Sequence, residues 1–334
     1  MIQTSRLLSI QYLRAFAAVM VVIYHAMRWT KPSFEIGAAG VDVFFIISGF
    51  ILWTISRERP IGPRAFLVHR WKRVAPLYWV LTLVAAAIAW PWPKLIWDAH
   101  VTVGHLLLSL AFIQHLNPVG EPFPVITAGW SLNYEAVFYL IFAGALLAPE
   151  RLRLRVLTLG LLAVPLFGII VRPAYFLGAN MMFLQFIAGI WLAEARLAGK
   201  LPKGGEGWIM AALALMAFAA LIPFDLYDKL WRPILWGAPA LLLVAGVVSL
   251  EGRKPFPDIG WLKLLGDASY SIYLTHVVVI QLMSHVLRDS HLTFAAVTIP
   301  LSIAAGLAVY FAIERPLMAA LRSRKSAALP SPSV

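Results

Sequence analysis

Apolar residues run along this chain in long blocks, broken by Pro, Gly and clusters of charge, rather than alternating with polar residues at strand spacing. The blocks at 9–28, 38–56, 74–90, 130–149, 156–172, 179–197, 208–223, 233–250, 264–287 and 293–313 approach the length of about 20 residues that a helix needs to cross a bilayer. They predict an all-α, polytopic membrane protein of about ten transmembrane helices. A further run, His105 to Gln114, is shorter and lies between His100 and His115, with Pro118, Pro122 and Pro124 following. The segment 99–129 is therefore expected to be an interfacial or re-entrant connection.

Composition agrees with this pattern. Of 334 residues, 61% are hydrophobic and 13% charged, with a mean hydropathy of +0.80. Soluble chains average roughly 45–50% apolar and about 25% charged, so the excess has to face lipid and an ordinary soluble enzyme is excluded. The net charge of +12 would suggest nucleic acid in a soluble protein, but here membrane topology accounts for it. If the short run does not cross, Arg28, Lys31, Lys94, Arg172, Lys229, Arg232 and Arg288 fall on one side and the remaining 21 of the 28 basic residues on the other. The positive-inside rule then puts both termini in the cytoplasm. The first apolar block carries Arg14 and is expected to stay as a helix rather than leave as a signal peptide. Residues 1–316 are expected to form one membrane domain, followed by a basic, disordered tail at 317–334. With no cysteine, thiol nucleophiles, disulfides and cysteine metal sites are excluded. No histidine spacing suggests a metal.

Ionisable groups inside apolar spans are costly and mark candidate function. Arg14 and His25 are eleven residues apart in the first helix, a rotation of about 1,100° and a rise of about 16 Å, so they share a face at different depths. Asp42 and Glu135 open two other helices from the outer side, and with His25 they make a candidate proton-handling set. Each also has a structural reading: Arg14 as a snorkelling anchor, His25 as a bundle hydrogen bond, Asp42 as a helix cap, and Glu135 as a partner of Arg28 or Arg172. Between the second and third blocks Arg57, Arg59, Arg64, His69, Arg70, Lys72 and Arg73 face a single acid, Glu58. Most of that is topogenic, but Arg70 and Arg73, three residues apart, suit a phosphorylated ligand. In the ninth block Asp267, Tyr270 and Tyr273 form a polar stripe expected to line a cavity. His285 and Asp289 match a His-x-x-x-Asp pattern by chance at a helix end, and there is no P-loop, nucleophile elbow or dinucleotide fingerprint.

In this order, Leu13-Arg14 with His25, Gly-Val-Asp42-Val-Phe-Phe-Ile-Ile-Ser48-Gly49-Phe, Arg70-Trp-Lys-Arg73, Trp130-Ser-Leu-Asn-Tyr-Glu135, Gly266 to His276 and Ile313-Glu-Arg-Pro316 resemble the acyltransferase-3 family of integral membrane acyltransferases. The nearest resemblance is to its exopolysaccharide, succinoglycan-type O-acetyltransferase branch. The resemblance implies a ten-helix bundle in the bacterial inner membrane. Such a bundle passes an acyl group, usually acetyl, from cytoplasmic acyl-CoA to a carbohydrate hydroxyl outside. It implies that His25 is the catalytic histidine, that Arg14, Arg70 and Arg73 serve the CoA donor, and that Glu135 belongs to the active site. Where many relatives carry a second carboxylate, this chain has Ala136.

On this reading the pantetheine arm threads between the first, second and ninth helices, past Asp267, Tyr270 and Tyr273. Glu135 orients the imidazole, Asp42 supports it, and Ser48 or a backbone N–H stabilises the oxyanion. A covalent acyl-histidine is the mechanistic alternative. No permanently bound cofactor or metal is expected. The expected partners are acyl-CoA, a glycan acceptor, the bilayer and the polysaccharide-synthesis machinery. A flippase for lipid-linked sugars and a non-catalytic scaffold are the rival classes.

Overall fold

A computed structural model describes residues 7–28, 34–95, 101–171, 181–202, 205–224, 231–253, 255–287 and 291–323, and among them there is no β-strand. The helices are α1 (Leu8–Met27), α2 (Gly40–Glu58), α3 (Pro63–Ala89), α4 (Val103–Leu110), α5 (Trp130–Ala145), α6 (Glu150–Val171), α7 (Phe183–Leu197), α8 (Glu206–Leu221), α9 (Arg232–Leu235), α10 (Gly237–Arg253), α11 (Gly260–Asp267), α12 (Ser269–Val286), α13 (His291–Val309) and α14 (Arg315–Ser323). Short 3-10 turns at Glu35–Ala39 and Thr127–Gly129 lead into α2 and α5, and a π-turn at Tyr310–Glu314 joins α13 to α14.

Among the described residues five stretches, Leu8–Met27, Glu35–Glu58, Pro63–Ala89, Arg232–Gly252 and Leu292–Leu321, are long and apolar enough to cross a membrane. The other expected blocks are also helical. However, α5, α7 and α8 have 16, 15 and 16 residues, and α6 opens on Glu150, Arg151, Arg153 and Arg155. At about 1.5 Å per residue, the eight residues of α4 reach only about 12 Å.

Three expectations change. The third helix starts at Pro63, not 74, because proline is preorganised for the first helical position, so Arg64 and His69 ride on helix rather than loop, and Arg70 and Arg73 stand one turn apart on it. The ninth block divides at Ala268. There Gly266 is pressed onto α1 so closely that a Cβ on it would lie 2.2 Å from the Gln11 carbonyl oxygen. Helix also continues through 317–323, where a disordered tail was expected, and 324–334 lies outside the described residues.

Helix packing relies on small residues. A Cβ on Gly49 of α2 would stand 2.2 Å from the Phe186 carbonyl oxygen, and one on Gly189 of α7 2.0 Å from that of Ile46. Only glycines permit that backbone approach, the usual way helices associate in lipid where no hydrophobic drive exists between them. Around it an aromatic core stacks Phe45 on Phe186 (centroids 4.5 Å apart), Phe138 on Phe186 (4.2 Å) and Phe66 on Phe142 (4.7 Å), tying α2, α3, α5 and α7 together. The open N-terminus of α1 is capped from α10. Glu251 accepts from the Leu8 and Ser9 backbone N–H groups at 2.8 and 3.1 Å and from the Ser9 hydroxyl, satisfying donors that a first turn leaves free.

Candidate active site

Two cavities lie along the faces of α1, α2 and α12. The first, about 170 Å³, is walled by Arg14 of α1, Ser48 and apolar residues of α2, Arg70 and Arg73 of α3, Ser131, Glu135 and Tyr139 of α5, and Ser269, Tyr270 and Tyr273 of α12. The structure thus brings Arg14, Ser48, Arg70, Arg73, Glu135, Tyr270 and Tyr273 to one place. Arg73 is ion-paired with Glu314 of the π-turn, and its guanidinium lies 5.6 Å from the Tyr270 ring centroid. Glu314 also accepts from Ser271 Oγ at 2.5 Å, and Tyr270 donates to the Val74 carbonyl at 2.7 Å. Among the described residues no ion pair holds Arg14 or Arg70, so two guanidiniums face the cavity with donors to spare.

The second cavity, about 660 Å³, is walled by Tyr24 and His25 of α1 and Arg28 just past its end, by His105 and residues from 117 to 128 of the connection before α5, by Arg232, and by Val277, Ile280, Gln281 and Ser284 of α12. The connection thus closes over the histidine.

His25 Nδ1 lies 2.9 Å from the Val21 carbonyl oxygen and 3.3 Å from His276 Nε2. A carbonyl can only accept, so the proton sits on Nδ1, and Nε2 keeps its lone pair, the state required of a base.

Several sequence expectations are corrected by these contacts. Glu135 does not touch His25. It accepts from Tyr139 at 2.5 Å and Ser48 at 3.3 Å and lines the other cavity, because one turn of α5 deeper points its side chain toward α2 and α3. Ser48 is accordingly a partner of Glu135 and lies away from the imidazole.

Asp42 lines neither cavity. It is buried against Arg232 (3.1 Å) and Gln185 (2.8 Å), joining α2 to α7 and α9. Gln185 also donates to the Pro233 carbonyl at 2.7 Å, and Arg232 stacks 4.8 Å from the Trp236 ring. Asp42 thus serves as the counter-ion of a buried arginine. Asp267 ends α11, and the break at Ala268 takes it off the face shared by Tyr270 and Tyr273, so it does not line the cavity. Of the other residues weighed, His100, Arg172 and Asp289 lie outside the described residues.

Sequence reasoning gave Glu314 no role and placed His276 only in the polar stripe of the ninth block, without its pairing to His25. Both stand inside segments that carried the family resemblance, and each is a buried titratable group on a helix, which is the signal that could have singled them out.

A family model described as an acyltransferase domain matches residues 7–315. The chain is 38% identical to the exopolysaccharide production protein ExoZ of Rhizobium meliloti, over 91% of this chain and 96% of that protein. It is 26% identical to the acyltransferase MdmB of Streptomyces mycarofaciens, over 98% and 96%. With the peptidoglycan O-acetyltransferase OatA of Listeria monocytogenes it shares 24% identity over 84% of this chain and 50% of that protein. No solved structure matches it.

Proposed function

The chain belongs to the acyltransferase-3 family, and from that premise we propose that it moves an acetyl or similar short acyl group from cytoplasmic acyl-CoA to a hydroxyl of an exported polysaccharide or lipid-linked glycan. The membrane is the bacterial inner membrane, crossed about ten times with both termini inside, and transfer takes place on the periplasmic side. Relatives named for exopolysaccharide production and for peptidoglycan O-acetylation support a glycan acceptor.

The observation that carries the reading is the pairing of an arginine cavity with a histidine cavity along one helix, about 16 Å apart by rise. A cytoplasmic donor and an external acceptor need such an arrangement. Arg14, Arg70 and Arg73 are suited to phosphates, as charge-assisted donors. About 170 Å³ is below the roughly 300–1,000 Å³ of sites that enclose a whole ligand, so the cavity suits the pantetheine arm with the nucleotide at its mouth. About 660 Å³ on the other side suits a sugar.

In transfer, His25 Nε2 takes the proton of the acceptor hydroxyl as its oxygen bonds to the acyl carbon. The carbon–sulfur bond then breaks, and the proton passes from the imidazolium to the CoA thiolate. Glu135 acts in the donor cavity: its carboxylate balances the guanidiniums and holds Ser48 and Tyr139 until the anionic donor arrives.

The test is equilibrium binding of acetyl-CoA to purified protein, with acetyl content of the exported polymer measured by NMR. Saturable binding that weakens in an Arg70→Ala/Arg73→Ala variant, and loss of acetyl in His25→Ala, are expected. Absence of saturable binding would overturn the reading in favour of a flippase, and unchanged acetylation in a normally inserted His25→Ala would remove that residue from the chemistry. Single-turnover mixing with labelled acetyl-CoA and no acceptor should leave the protein unlabelled.

A further inference from the structure

Among the described residues, Val41 and Tyr273 alone line both cavities. On α12, Tyr270, Tyr273 and Val277 follow at spacings of three and four and so share one helix face. Tyr270 faces the arginine cavity, Val277 the histidine cavity, and Tyr273 both.

The Tyr273 ring is held in place. Its hydroxyl lies 2.8 Å from Ser131 Oγ and donates to the Ala128 carbonyl at 3.1 Å. Ser131 belongs to the arginine cavity and Ala128 to the histidine cavity, so the latch straddles the division. Phe44 packs edge-on, 5.9 Å from the ring centroid, and Tyr273 is only 7% exposed.

We propose that Tyr273, latched to Ser131 and Ala128, is the partition between the two cavities and sets the preference for an acceptor hydroxyl over water. This rests on the transferase reading above. A thioester in the arginine cavity reaches His25 only if the ring swings aside. With the ring in place, water in the histidine cavity is kept from the acyl carbon. If it entered, water oxygen would bond to that carbon, the carbon–sulfur bond would break and the thiolate would take the proton, giving free acid and CoA.

The chain has no cysteine, so single ones can report on the partition. Ser48→Cys places a thiol in the arginine cavity and Ser284→Cys one in the histidine cavity. The reagent is a membrane-impermeant trimethylammonium-ethyl methanethiosulfonate, added to sealed vesicles on the side from which Ser284→Cys reacts. Ser48→Cys should be protected in the Tyr273 background, react at least tenfold faster with Tyr273→Ala, and severalfold faster with Tyr273→Phe or Ser131→Ala. Ser284→Cys should react alike in all backgrounds, which controls for folding.

With acetyl-CoA and no acceptor, release of free CoA thiol should rise in the same order. Equal Ser48→Cys reactivity in every background, with Ser284→Cys unchanged, would overturn the partition whether or not the protein turns over acetyl-CoA. Graded reactivity with no CoA released by any variant would keep the partition but overturn its role in excluding water, while the transferase reading stands or falls separately on acetyl-CoA binding and the acetyl content of the polymer.

Discussion

His276 of α12 backs directly onto His25 of α1. Its Nε2 is 3.3 Å from His25 Nδ1, the ring centroids are 4.9 Å apart, and His276 is fully buried. The Val21 carbonyl and His276 together approach the same nitrogen, so the free lone pair of His25 is held toward the open cavity. Truncating His276 removes the packing that fixes the ring. His276→Ala is expected to lower kcat by roughly 10–100-fold, in line with the cost of a small misplacement of a reacting group, while acetyl-CoA affinity stays unchanged. A deficit confined to expression, with normal turnover per folded molecule, would contradict this positioning role.

The arginines should separate by what holds them. Arg70 faces the cavity free of an ion pair, so Arg70→Ala should weaken acetyl-CoA binding by about 10–100-fold, the value of one hydrogen bond from a charged donor, and leave thermal stability intact. Arg73→Ala also strands the buried Glu314 and should lower both affinity and melting temperature. Paired titration and melting curves on the two variants provide the comparison; equal destabilisation by both would remove the distinction.

Asp42→Ala removes the buried carboxylate 3.1 Å from Arg232, and breaking a buried ion pair costs about 3–5 kcal/mol. The expected outcome is a large fall in melting temperature or failure to accumulate. Replacing Asp42 and Arg232 together by apolar residues of similar volume should recover much of the stability. A stable Asp42→Ala protein lacking only acetyl transfer would return Asp42 to the chemistry.

At the α2–α7 crossing, Gly49→Ala or Gly189→Ala forces backbone apart where a Cβ has 2.2 or 2.0 Å of space. A loss of about 1–3 kcal/mol, the usual cost of overpacking, is expected for each. Gly144→Ala on α5 meets nothing within 4 Å and should be neutral or slightly stabilising, since alanine is the better helix former. Size-exclusion profiles after graded heating compare the three.

Helix identity was largely legible from the chain alone, because an apolar block of membrane length leaves the backbone no choice but to satisfy its own hydrogen bonds. Arg14 and His25 could be placed on a common face for the same reason, since helix periodicity is local. The arginine cluster was likewise visible as charge. What the tertiary structure decided was which polar groups meet, because their partners come from distant helices.

Asp42 and Glu135 look equivalent in sequence, each a carboxylate near the start of an apolar helix. Yet Asp42 finds Arg232 from α9, while Glu135 turns toward Ser48 and Tyr139. Asp267 and Tyr270 sit three apart, but the helix is interrupted at Ala268 between them, and of the two only Tyr270 lines the cavity. His276 became the neighbour of His25 only through the packing of α12 on α1. Spacing along one helix is set by local geometry, whereas contact between helices depends on how closely their small residues let the backbones approach, and this chain left that to its fold.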